Sequence, residues 1–177
     1  MERSAIIDET GQYRYQLVRE WEPADPRVLW IMLNPSTADG TEDDPTIRRC
    51  VGFAKAWGFG SIEVVNLFAF RATEPDDLMA LLRYGGDAIG PENDDHILEA
   101  AEACGIIIGA WGAHKSAGAW DLADGRAASV CRLLSRRDIN CLRITASGHP
   151  SHPLYLPGNL TPIPLNPHAR MAANISA

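Results

Sequence analysis

Residues able to do chemistry are densest in Gly148-His149-Pro150-Ser151-His152-Pro153-Leu154-Tyr155, where two imidazoles and a hydroxyl stand among two prolines. Prolines this close exclude a helix interior and a central strand, so the segment is a stiff loop. It follows the apolar run Cys141-Leu142-Arg143-Ile144, which reads as a buried strand. Three other strand-like runs also end in polar residues. Arg27 to Leu33 leads into Asn34-Pro35-Ser36-Thr37-Ala38-Asp39-Gly40, Ser61 to Val65 leads into Asn66, and Gly105 to Ala110 leads into Trp111-Gly112-Ala113-His114-Lys115. The carboxyl ends of parallel strands share one edge of an open α/β sheet, and ligands bind there. The four loops are therefore expected to meet at one crevice.

Such a crevice would hold amides and imidazoles but few carboxylates. A side-chain amide both donates and accepts, so Asn34 and Asn66 suit reading the edge of a planar ring that contains an amide. His114, His149 and His152 lack a spacing that fixes a metal, and neither metal nor cofactor is expected. No G-x-S-x-G elbow is present, and Ser36 and Ser151 sit beside prolines, which disfavours a Ser-His-Asp hydrolase. The plainer alternative is structural. Asn34 and Asn66 would cap strand-to-loop turns, and His149 would brace a bent loop.

The elements that must position these residues can be read from the spacing. Gln12 to Glu22 reads as an N-terminal edge strand, or one arm of a hairpin with the next run. Asp44-Pro45 reads as a helix cap and first helical position, with Ile47, Val51, Ala54 and Trp57 at helical spacing and Gly58 as the stop. Further helices are expected over about 75–83, 92–104 and 120–137. The pattern predicts a three-layer α/β/α sandwich with a mostly parallel central sheet of about four strands plus the N-terminal edge strand or hairpin. One domain spans 1–177, with its core at 28–155 and an irregular proline-rich tail at 156–177.

Composition narrows the function classes. Formal net charge is −7, with 16 Lys and Arg against 23 Asp and Glu. This weighs against tight sequence-independent nucleic-acid binding, which depends on cations neutralising phosphates. Arg48-Arg49, Arg71, Arg126 and the group Arg132, Arg136 and Arg137 are candidates for a local basic patch, with a solvated helix face as the plainer reading of most of them. No apolar run approaches the roughly 20 residues of a membrane span. The N-terminus lacks the apolar core of a signal peptide, so a cytoplasmic protein is expected. The four cysteines are scattered without a C-x-x-C pair and read as core residues.

Four motifs, in order over roughly 28–155, resemble the uracil-DNA glycosylase superfamily. Leu29-Trp30-Ile31-Met32-Leu33-Asn34-Pro35 resembles its first motif, an apolar strand ending in Gln-Asp-Pro or Ile-Asn-Pro. Val64-Val65-Asn66-Leu67-Phe68-Ala69-Phe70-Arg71 is similar to the strand with the base-reading asparagine, and Ile107 to Lys115 to the strand ending in Trp-Gly. Gly148 to Leu154 is similar to the His-Pro-Ser-Pro-Leu motif. The Leu-Asn-Pro-Ser-Thr-Ala segment also resembles a bacterial and phage branch that would belong to this superfamily. The resemblance implies that Asn34 positions the attacking water and Asn66 reads the base. It implies that His149 hydrogen-bonds the base oxygen where charge develops, Ser151 holds a backbone phosphate and Leu154 fills the hole left by a flipped nucleotide.

This chain departs from the pattern in three places. Asn34 replaces the aspartate of the uracil branch, and an amide cannot act as a general base. Ser36 stands where that branch has a tyrosine, which opens the site to a 5-substituted pyrimidine. His152 is an insertion between Ser151 and Pro153. Phe53, Phe68 and Trp111 are candidates to stack on the base, and Arg71 to reach phosphate. The expected function is a cofactor-free DNA glycosylase of DNA repair, acting by base flipping on a uracil-like or 5-modified pyrimidine in single- or double-stranded DNA. The alternatives are a non-catalytic module that binds a base, nucleotide or modified DNA, and a hydrolase of free nucleosides or nucleotides.

Overall fold

The computed structural model describes residues 1–36, 42–72, 74–113 and 120–165. In chain order the elements are β1 (Glu2–Ile7), β2 (Arg14–Glu20), β3 (Arg27–Met32), α1 (Pro45–Ala56), β4 (Ser61–Asn66), α2 (Pro75–Arg83), α3 (Asn93–Ala103), β5 (Ile106–Gly109), α4 (Trp120–Leu133), β6 (Ile139–Cys141), a 3-10 turn (Pro153–Tyr155) and β7 (Ile163–Pro164).

β3 is apolar from Val28 to Met32 because both of its faces are covered. Its side chains alternate. Leu29 and Ile31 join Val65 and Ile107 in a core under Leu78, Met79, Ile97, Ala101, Ala127 and Val130 of α2, α3 and α4. Val28 and Trp30 join Ile62 and Val64 in a second core on the opposite face, under Ile47, Cys50, Phe53 and Ala54 of α1. Asp44 caps α1 as its sequence indicates, with Oδ1 accepting from Ile47 N–H at 2.8 Å and Pro45 opening the helix.

The sheet runs β1-β2-β4-β3-β5-β6-β7. Its architecture corrects the expected mostly parallel sheet of about four strands. Among the described residues there are seven strands, and the β1–β2, β2–β4 and β6–β7 pairings are antiparallel, half of the six. The α/β class holds. β2 is not an edge, since it pairs with β4 on one side and β1 on the other. β1 escapes sequence reading because it has no buried face to leave a hydrophobic alternation. β7 lies within the proline-rich tail, where Ile163 and Pro164 add a short edge beside β6. The fourth run is also displaced, as the strand is Ile139–Cys141 and Leu142 to Ile144 continue as loop.

Connectivity sets the position of the site. The β3–α1–β4 crossover moves to one side of β3, and the chain then returns through α2 and α3 to β5 on the other side. Strand order therefore reverses at β3, the kind of point where a crevice opens beyond the carboxyl ends.

Candidate functional site

A cavity of about 430 Å³ opens at that reversal, within the range of small-molecule sites. The end of β3 supplies Met32, Leu33, Asn34 and Ser36, and the end of β4 supplies Asn66. Beyond β5 come Trp111, Gly112 and Ala113, and after β6 come Thr145, Ser151 and His152. The start of α1 adds Asp44, Thr46 and Ile47. Antiparallel β2 begins where β4 ends, and so brings Arg14, 3% exposed, to the same cavity.

Asn66 is the most informative residue. It is 1% exposed, and neither Nδ2 nor Oδ1 has a hydrogen-bond partner among the described residues. An orphaned buried amide costs roughly 1–3 kcal/mol for each unmade bond, so a complementary ligand edge would recover that energy. The backbone beneath it is anchored. Asn93 of α3 is fully buried and donates through Nδ2 to Asn66 O at 3.0 Å and Leu67 O at 3.2 Å. Arg126 Nε donates to the same Leu67 carbonyl at 2.7 Å.

Asn34 is held differently. Its Nδ2 donates to Pro35 O and Ala72 O, both at 3.0 Å. Oδ1, an acceptor, is what it can offer to a ligand or water. Ser36 Oγ donates to Asp44 Oδ2 at 2.5 Å, tying the loop after β3 to the cap of α1. The Trp111 ring lies across Gly109, where a Cβ would stand 2.7 Å from ring atom Cζ3. Gly112 turns the chain at φ +76, and its N–H donates to Pro150 O at 2.9 Å, joining two of the loops.

His152 lies exposed at the cavity wall. Its Nδ1 accepts from Leu154 N–H at 3.4 Å, which leaves the proton of the neutral ring on Nε2 as a donor. Desolvation by the surrounding protein pushes its pKa below 6.5, outweighing the opposite pull of the Asp44 carboxylate.

A sequence model of the family described as "Protein of unknown function (DUF1643)" matches residues 14–154. The chain belongs to the DUF1643 family. No curated protein and no solved structure gives a significant match. The DUF1643 region contains every described residue that lines the cavity, from Arg14 to His152.

Of the residues singled out from sequence, Asn34, Ser36, Asn66, Trp111 and Ser151 meet in the cavity. His149 does not line it. That side chain is buried, with Nδ1 3.6 Å from Asp124 Oδ1 of α4. Phe68 lines a separate open cleft with Leu82 and Arg126, and Phe53 lies in the α1 core. Arg71 donates to Gly11 O at 3.1 Å, away from the cavity lining. Leu154 is half-buried in the 3-10 turn and does not line the cavity, whereas its neighbour Tyr155 is 90% exposed. Thr37, Asp39, His114 and Lys115 lie outside the described residues, as do 166–177 of the tail.

Sequence reading missed Arg14, Asp44 and Asn93 as site residues, and placed His152 in a site loop without giving it a role. Asp44 and His152 carried a signal, since each stands in or beside a strand-end loop. Arg14 and Asn93 carried none, because antiparallel pairing and helix docking bring them in.

No group of three or more His, Cys, Asp or Glu side chains able to hold a metal occurs among the described residues. The cysteines are free, and burial pushes the thiols of Cys50, Cys104, Cys131 and Cys141 up, away from the reactive thiolate. No helix of the described residues is long and apolar enough to cross a membrane.

Proposed function

We propose that the cavity binds a uracil-like or 5-modified pyrimidine and that the protein hydrolyses its N-glycosidic bond in DNA. The observation that carries this reading is the orphaned amide of Asn66. A pyrimidine edge that presents a carbonyl and an adjacent N–H would satisfy Nδ2 and Oδ1 together. Trp111 offers an aromatic wall for the ring, and the small Ser36 leaves space at the 5-position. Asn34 Oδ1 accepts a hydrogen bond from water on the sugar side. The donor to the base oxygen, where negative charge grows as the bond breaks, is His152 Nε2–H rather than His149, because His152 faces the cavity. Ser151 at the rim is a contact for a backbone phosphate.

Base release from oligonucleotides tests the reading. Single- and double-stranded DNA carrying uracil, mismatched thymine or hydroxymethyluracil would be incubated with protein, and abasic sites cleaved with alkali. Release by the wild type is expected, with Asn66→Ala lowering it by about 10²-fold or more, the scale of a buried recognition bond in an active site. His152→Ala should lower it far more than His149→Ala. No release from any substrate by folded protein would overturn the hydrolase. Binding to the same DNA without release would instead establish a non-catalytic base-binding module.

A further inference from the structure

We propose that Asp44 is the carboxylate that takes a proton from the attacking water, with Ser36 as the positioning residue that holds it. The assignment rests on the hydrolase reading above. Its starting point is a chemical gap, because Asn34 can place a water but cannot accept its proton. Among the described residues lining the cavity, Asp44 is the one carboxylate. It is fixed at two points, by Ile47 N–H on Oδ1 at 2.8 Å and by Ser36 Oγ–H on Oδ2 at 2.5 Å. A carboxylate oxygen accepts two hydrogen bonds, so among the described residues each keeps one lone-pair direction for water. Ser36 is two residues from Asn34, and Asn34, Ser36 and Asp44 all line the one cavity.

A helix cap is ordinarily a structural feature. Here a second observation marks a ligand site at the same place, the buried unpartnered amide of Asn66 in the wall of the same cavity. The titratable and charged groups that share this wall with Asp44 are Arg14 from β2 and His152 from the loop after β6. The Cys50 thiol of α1 feels the Asp44 charge, which adds to burial in pushing it up.

The step balances without a further reactant. The C1′–N bond breaks and its electron pair leaves on the base, which is held by His152 and Asn66. Water forms the C1′–O bond and gives one proton to Asp44. Solvent later removes that proton from Asp44 and supplies one to the departing base.

The split between kcat and KM for base release by wild type and Asp44→Asn tests this. Asparagine caps helices as well as aspartate, so the variant keeps α1 while losing the base. Asp44→Asn should lower kcat by about 10²–10⁴-fold with little change in KM. Ser36→Ala should lower kcat less, again with little change in KM. An Asp44→Asn enzyme within about threefold of the wild type would overturn the assignment and leave the hydrolase reading intact. A wild type that releases no base would overturn both. Loss of release with loss of the thermal unfolding transition would point to the cap alone, and Ser36→Ala with wild-type kcat would then overturn the assignment.

Discussion

Asn66 and His152 show how one residue's surroundings decide what it can do. Both amide atoms of Asn66 are buried with nothing to bond among the described residues, an arrangement that weakens the fold unless a ligand completes it. At His152, desolvation favours the neutral ring, the form that donates through Nε2 without carrying a charge. Its effect on stability has a definite sign. The unfolded chain takes up a proton near pH 6.5 while the folded state resists it, so stability is lost as pH falls through that value. Thermal unfolding measured from about pH 7 to 5 should therefore show a steeper fall for the wild type than for His152→Gln. Equal slopes would mean that His152 does not contribute. The asparagine was legible from sequence because it ends an apolar strand. The choice between His149 and His152 was not, because both occupy one proline-rich loop and packing of His149 against α4 leaves His152 to face the cavity.

At the scale of elements, the site depends on what lies behind it. Asn93 and Arg126 arrive from α3 and α4 and converge on the carbonyl of Leu67, locking the end of β4 where Asn66 must point. Asn93→Ala removes both donor hydrogens from buried carbonyls, and should cost about 1–3 kcal/mol in urea unfolding. It should also reduce base release, because the Asn66 backbone loses its anchor. Unchanged stability would contradict the anchoring role. Helix positions were largely legible from caps and spacing, with α2 found at 75–83 and α1 opening on Asp44-Pro45. Strand pairing was less so. An apolar run reveals burial but not direction, and β1 and β7 lack the buried alternation that identifies a strand.

The whole molecule carries a net charge of −7, and among the described residues lining the cavity Arg14 is the sole Lys or Arg. Arg14 is nearly inaccessible from the rim, so few phosphates can be neutralised there. DNA affinity should then depend weakly on salt, with a slope of log K against log salt no steeper than about −3. Fluorescence anisotropy between about 50 and 200 mM salt checks this, and a slope near −6 or steeper would reveal a basic surface this account lacks. The same balance suits a protein whose affinity comes from one extruded base seated in a cavity. It suits less well one that grips the duplex by its backbone.

The claim on which the rest depends is that a base edge completes the Asn66 amide. Its side-chain N–H₂ resonances, assigned by their loss in Asn66→Asp, can be tracked by NMR while deoxyuridine or 3-methyldeoxyuridine is added. Deoxyuridine should move them, whereas 3-methyldeoxyuridine, whose ring has no N–H to give Oδ1, should not. Resonances that stay fixed while other cavity residues respond to deoxyuridine would contradict the claim.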